Sequence, residues 1–151
     1  MRSEHLTLAV VGTGAMGRGI AQIAAQAGCR VLLLDTREGA AAEAKDALGR
    51  QWSKLVDKGK MAAAAAEAAV ARLDVVADSY ALTYANVVVE AIVENLEVKR
   101  ALFRELDDIV SADCVLATNT SSLSVTAIAA GTRFPGRVAG FHFFNPVPLM
   151  K

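Results

Sequence analysis

At 151 residues the chain has room for one domain with a real core, and it needs neither disulfides nor a metal to hold that core together. Its 16 basic and 16 acidic side chains cancel, which leaves no footprint for a polyanion and turns the search from nucleic acid or an anionic membrane toward a small-molecule partner. Alanine supplies 30 residues and aromatics only 5%, a composition that suits helices packed closely on a sheet.

Leu6 to Val11 (LTLAVV) and Arg30 to Leu34 (RVLLL) read as buried parallel strands. Only about five residues precede the first of them, too few for a signal or transit peptide, and Glu4 interrupts even those, so the protein is expected in the cytoplasm. Between the two strands, Ala15 to Ala27 carries small and aliphatic residues all round and ends at Gly28, a natural left-handed stop for a helix. Glu38 to Lys58 predicts a second helix. Leu48, Trp52, Leu55 and Val56 form its inner face, while Lys45, Arg50, Lys54 and Lys58 face water, and Gly59 breaks it. Met61 to Leu73 follows as a helix on alanine propensity, so the two make a hairpin. No apolar run approaches the roughly 20 residues of a membrane helix, because Glu67 and Arg72 bound the alanine tract.

Short strands are then expected at Val75 to Ala77 and Val87 to Glu90, a helix through Val98 to Val110, a strand at Val115 to Thr118, a short helix after Ser124, and a last strand at Val138 to Phe143. Cys29 and Cys114 fall in apolar, strand-like segments with no CxxC and no histidine nearby in sequence, and read as buried reduced thiols rather than metal ligands.

The first strand runs into Gly12-Thr-Gly14-Ala-Met-Gly17, and Asp35 closes the second strand eighteen residues past the last glycine. Each residue has a task in holding a dinucleotide. Gly12 allows a sharp turn, Gly14 lets backbone approach a pyrophosphate, and Gly17 lets helix and strand pack closely. The N–H groups opening the helix at Ala15 and Met16 face the phosphates, and Asp35 accepts from the adenosine ribose while repelling a 2′-phosphate. NAD is therefore the expected cofactor, although Arg37 could attract the extra phosphate of NADP. The whole pattern predicts a Rossmann-type α/β domain over residues 1–151, a doubly wound and mainly parallel sheet with the hairpin as an insertion.

Three more clusters follow strands whose carboxyl ends should share the cofactor edge: Glu90 to Asn95 with Lys99, Asn119 to Ser122, and His142 to Pro146. Each has an ordinary reading. Glu94 and Lys99 could be a solvated pair at a helix start, Asn119, Ser121 and Ser122 could cap the next helix, and His142 could be a core histidine.

Taken in order, the stretches GTGAMGRGIA (Gly12 to Ala21), VVEAIVENLEVK (Val88 to Lys99), NTSSLSVTAIA (Asn119 to Ala129) and HFFNPVPLMK (His142 to Lys151) resemble the N-terminal cofactor domain of the L-3-hydroxyacyl-CoA dehydrogenases over essentially the whole chain. The resemblance implies oxidation of an L-3-hydroxyacyl-CoA to the 3-ketoacyl-CoA with NAD, in fatty acid β-oxidation or related acyl-CoA catabolism. It makes His142 the general base, sets Ser121 and Asn145 by the reacting oxygen and the nicotinamide, and gives Glu94 and Lys99 contacts to the cofactor. The hairpin would help to hold coenzyme A, with Lys54, Lys58 and Lys60 crowding its tip. The family continues past Lys151 into a glutamate that orients the histidine and an all-helical domain that makes a homodimer, so the chain reads as a domain of a longer protein. Two other readings stay open, an NAD-binding module without turnover and a structural relative that has left the pathway; a dehydrogenase of simpler hydroxy acids fits HFFNP after NTSS less well.

Overall fold

In the computed structural model, which describes residues 2–120 and 123–141, the strands are β1 (Thr7–Val11), β2 (Arg30–Leu34), β3 (Leu73–Val75), β4 (Val87–Glu90), β5 (Val115–Thr118) and β6 (Val138–Gly140). They form one sheet in the order β3-β2-β1-β4-β5-β6, every pairing parallel among the described residues. The helices are α1 (Ala15–Gln26), α2 (Ala40–Asp57), α3 (Ala63–Ala71), α4 (Leu96–Ile109) and the short α5 (Val125–Ala129). The chain leaves β1 toward β2 and β3, then returns to the far side of β1 to build β4, β5 and β6. The sheet therefore has a switch point between β1 and β4, where open α/β sheets bind ligands.

Strand alternation sorts the core into two layers. Val10, Val31, Leu33 and Val89 point to one face and are covered by Ile20 of α1 with Leu48 and Trp52 of α2. Ala9, Val11, Leu32, Val88 and Leu116 point to the other and meet Phe103 and Leu106 of α4 and Ile128 of α5. The doubly wound Rossmann-type architecture and the α2–α3 hairpin are as the hydrophobic pattern predicts.

The differences are local. α3 stops at Ala71 and Leu73 already belongs to β3, two residues before the expected strand, because its side chain is wholly buried and its backbone pairs with Val31. α4 begins at Leu96, ahead of the expected Val98, since the Asn95 side chain accepts from the Val98 N–H at 3.1 Å and caps the helix. Cys29 and Cys114 sit just before β2 and β5 rather than inside them; both are free and buried, and burial pushes each thiol up, which keeps it unreactive. β6 ends at Gly140, and the Phe141 N–H still bonds the Thr118 carbonyl at 2.9 Å. Residues 142 and 143 of the expected strand lie outside the described residues. No helix among the described residues is long and apolar enough to cross a membrane.

The edge strand β6 is held by charge. Asp107 in the last turns of α4 is 3% exposed; its carboxylate accepts from Arg137 Nη2 at 2.6 Å and from the Arg133 N–H at 2.6 Å. Burial alone would push that carboxyl up, yet the hydrogen bonds from Arg137 and Arg133 outweigh it and hold it below the ordinary range. A depressed carboxylate stabilises the fold above its unfolded pKa of about 3.9, and that contribution is lost as pH falls through the folded value. Arg137→Met is expected to cost about 3 kcal/mol at neutral pH, because Asp107 stays buried with half its partners gone. Urea unfolding by circular dichroism should show that deficit shrinking as the pH is taken below about 4. A deficit unchanged in acid would deny the carboxylate this role.

Candidate functional site

The turn after β1 is made by contacts between backbones. Gly12 has φ +97°, and a Cβ on it would lie 2.5 Å from the Ala91 carbonyl oxygen at the end of β4. Gly17 is more tightly placed, since its Cβ would lie 1.7 Å from the Gly12 carbonyl oxygen. Gly14 is different in kind: a Cβ there meets nothing within 4 Å. Gly12 and Gly17 are thus required by the fold, whereas Gly14 leaves open space directly in front of α1. The first helical bond of α1 runs from the Arg18 N–H to the Gly14 carbonyl at 2.8 Å, which leaves the N–H groups of Ala15, Met16 and Gly17 without partners in the helix. Donors without helical partners at a helix start, next to space that a side chain would fill, fit the pyrophosphate of a dinucleotide.

Asp35, just past β2, is tied to this turn. Its Oδ2 accepts from the Thr13 N–H at 2.8 Å and from Thr13 Oγ1 at 2.7 Å, and its Oδ1 accepts from the Arg37 N–H at 2.9 Å. Partial burial works against the charge, but these bonds prevail and hold the carboxyl below the usual aspartate range. Three of its roughly four acceptor sites are then occupied, so one lone pair on Oδ1 is left for a ribose hydroxyl, fewer than a full bond to each oxygen of a diol. The carboxylate opens on a hollow of about 440 Å³ bordered by Gly39, Ala41, Val75 and Val76, of a size for an adenosine. A hollow of equal size between α2 and α3 lies away from the carboxyl ends of the strands. Arg37 turns its guanidinium to Glu43, with Nη2 and Oε2 3.1 Å apart.

At the other side of the switch point is a cluster of buried charge. Glu90, last residue of β4, and Lys99, in the first turn of α4, have no exposed side-chain surface and pair at 2.7 Å. Glu90 Oε2 also accepts from the Ile92 N–H at 2.8 Å, and its Oε1 accepts from Thr118 Oγ1 at 2.6 Å. The Lys99 ammonium reaches the Asn119 carbonyl at 3.4 Å and Glu94 Oε1 at 3.6 Å, and Thr120 Oγ1 donates to the same Glu94 oxygen. Lys99 is not the solvated cation of a surface pair. Its ammonium is held by Glu90, Glu94 and the Asn119 carbonyl, at the carboxyl ends of β4 and β5.

Ser121, His142 and Asn145 lie outside the described residues. Lys54, Lys58 and Lys60 are exposed around the turn from α2 to α3, where Gly59 has φ +69°. Among the described residues no three His, Cys, Asp or Glu side chains gather as a metal site would require. The sequence pattern marks Glu90 only as a member of the cluster with Glu94 and Lys99, and it marks neither Thr13 nor Thr118. For Glu90 a signal existed, an acid closing an otherwise apolar strand; for the two threonines none did.

A family model described as "3-hydroxyacyl-CoA dehydrogenase, NAD binding domain" matches residues 7–151. The chain is 48% identical over 145 residues to the 3-hydroxyadipyl-CoA dehydrogenase of Escherichia coli K12, covering 96% of this chain and 30% of that protein. It is 40% identical over 146 residues to the 3-hydroxybutyryl-CoA dehydrogenase of Clostridioides difficile, covering 97% and 52% respectively. Among solved structures, the crystal structure of 3-hydroxybutyryl-CoA dehydrogenase from Escherichia coli K12 superposes with a TM-score of 0.94 at 47% identity, over 97% of this chain and 31% of that one. The chain thus spans from about 30% to about half of the length of these relatives.

The two kinds of glycine make separate predictions. Gly17→Ala should unfold the turn, with a thermal midpoint several degrees lower, since backbone must shift to admit its Cβ. Gly14→Ala should leave the midpoint almost unchanged and weaken dinucleotide binding about tenfold or more, because only the ligand is displaced. Thermal unfolding and calorimetric titration of both variants check this, and unaltered binding by Gly14→Ala would remove the pyrophosphate from this spot.

Proposed function

The chain belongs to the 3-hydroxyacyl-CoA dehydrogenase family as its NAD-binding domain, and from that premise we propose that the whole protein oxidises an L-3-hydroxyacyl-CoA to the 3-ketoacyl-CoA. The observation that carries the reading is the Gly12–Gly17 turn locked to Asp35 through Thr13, with open space at Gly14. Bound NAD supplies the hydride acceptor, and the residues of the chain bind, orient and move a proton. Gly14, Ala15, Met16 and Gly17 hold the pyrophosphate, and Asp35 takes a ribose hydroxyl. The Glu43 carboxylate pairs with Arg37, a neighbouring cation that a 2′-phosphate would otherwise use, which supports NAD over NADP.

The chemical steps are assigned by family likeness. His142 removes the hydroxyl proton, Ser121 holds the oxygen as it becomes a carbonyl, and Asn145 places the substrate and the cofactor amide. Lys54 and Lys58, with Lys60, grip the phosphates of coenzyme A at the hairpin tip. The names of the relatives, dehydrogenases of short 3-hydroxyacyl-CoA thioesters, support an acyl-CoA substrate. The same reading carries with it acyl-CoA catabolism in the cytoplasm, and a homodimer formed by parts of the protein beyond this domain.

Calorimetric titration of the chain with NAD and with NADP tests the cofactor half. NAD should bind more tightly, and Asp35→Asn should cost about 1.5–3 kcal/mol of NAD affinity as a charge-assisted hydrogen bond is weakened. Equal affinity for the two nucleotides would overturn the role of Asp35. For the chemical half, His142→Ala in the full-length protein should slow acetoacetyl-CoA reduction by NADH about 10²–10⁴-fold; an undiminished rate would make His142 a core histidine.

A further inference from the structure

We propose that Glu90 is a positioning residue: through Lys99 it fixes the nicotinamide end of the cofactor crevice while leaving the adenosine end untouched. The inference rests on the NAD reading above. Asp35 follows β2 and the glycine turn follows β1, so a dinucleotide lying along the carboxyl edge has its adenosine over β2, its pyrophosphate at α1, and its nicotinamide over β4 and β5. That is where the buried pair stands. Glu90 closes β4, Thr118 closes β5, and Lys99 stands in the first turn of α4.

Every bond of the pair joins segments that bear on this end. Glu90 gathers the Thr118 hydroxyl, the Ile92 N–H and the Lys99 ammonium, and Lys99 passes the constraint to the Asn119 carbonyl and to Glu94. The Asn119 N–H in turn bonds the Glu90 carbonyl at 2.9 Å, so the β5 exit is held to β4 through both backbone and side chain. Glu94 and Thr120, joined to each other, lie on the two loops that emerge from the clamp. Stability alone does not call for a charge pair at this place, since apolar residues of similar size in place of a buried pair are often as stable or more so. What an ammonium adds is direction. One of its donors goes to Glu90 and another to the Asn119 carbonyl on one loop, while its charge draws the Glu94 carboxylate on a second loop, 3.6 Å away.

The test separates the two ends of the crevice on the chain itself. NADH and ADP-ribose share the adenosine and the diphosphate and differ in the nicotinamide, and NADH fluorescence reports the ring's surroundings. The double substitution Glu90→Gln with Lys99→Met removes both charges together and avoids a lone buried ion, so its urea midpoint should stay near that of the parent. It should bind ADP-ribose within about twofold of the parent, bind NADH about tenfold more weakly, and lose the rise in NADH fluorescence on binding. Thr118→Val, which removes one bond to Glu90 and no charge, should move NADH in the same direction by about two- to threefold. It carries the test if the double variant does not fold. Equal losses for NADH and ADP-ribose, no loss for either, or a parent chain with no nicotinamide-dependent signal would overturn the inference while leaving the NAD reading in place. A parent that binds neither nucleotide overturns both.

Discussion

Three stretches of backbone converge at Gly12, and the geometry of the remainder depends on their meeting without side chains. The Gly12 N–H bonds the Leu34 carbonyl at the end of β2, the Ala91 N–H bonds the Val11 carbonyl, and the Gly12 carbonyl lies against the Cα of Gly17 in α1. The chain therefore leaves β1 between two neighbouring strand ends and turns directly into a helix. A Cβ on either glycine would push α1 off the sheet or part β1 from β4. Because the contact is backbone on backbone, it has no rotamers to adjust, and the start of α1 is placed as firmly as the strands. The donors at that start inherit the same precision, which is what a binding site gains from standing on rigid elements.

Close packing extends that economy through one layer of the molecule. Ala21, Ala24 and Ala25 of α1, Ala40, Ala41 and Ala44 of α2, and Ala66 and Ala69 of α3 are all buried. Alanine loses no rotamer freedom on burial, and its small side chain lets helices approach one another and the sheet. It also buries little apolar area, so the few large side chains carry a disproportionate share of the core. Trp52 and Leu48 fill the layer of α1 to α3, and Phe103 and Leu106 fill that of α4 and α5, each at most 1% exposed.

What could be read from sequence follows from how far each interaction reaches along the chain. The strands at Arg30, Val87 and Val115 and the turn at Gly12 are local patterns, an apolar run ended by glycine, charge or a polar side chain, and they stand where the pattern predicts. Leu73 falls outside any local pattern, because the helix propensity of the alanine tract runs up to it while its partner Val31 lies 42 residues away in sequence. Asp35 was legible as an acid at a strand end; that Thr13 and Arg37 already fill most of its acceptor sites was not, since a threonine in a glycine-rich turn has no special look. Lys99 shows the same limit. Five residues from Glu94 and at a helix start it reads as a surface cation, and only the closeness of β4, β5 and α4 in space turns it inward to Glu90.

The two sides of the crevice are thus closed by different physics, and the connections explain why. From β1 the chain enters α1 through glycines, and contact between backbones suffices. From β4 it enters α4 through Ala91 to Asn95, with no glycine, and Val93 in that connection is 67% exposed. A loop with side chains on every residue cannot be pressed against its neighbour as Gly17 is pressed against Gly12. Beyond the backbone bond of Ala91, it is held by groups that reach, and in a low-dielectric interior a reaching group must arrive with its charge or hydrogen bonds satisfied. Glu90 and Lys99 meet that demand by satisfying each other while retaining acceptors and donors for Thr118, Ile92, Asn119 and Glu94. The buried pair does between β4 and β5 what the two glycines do beside β1.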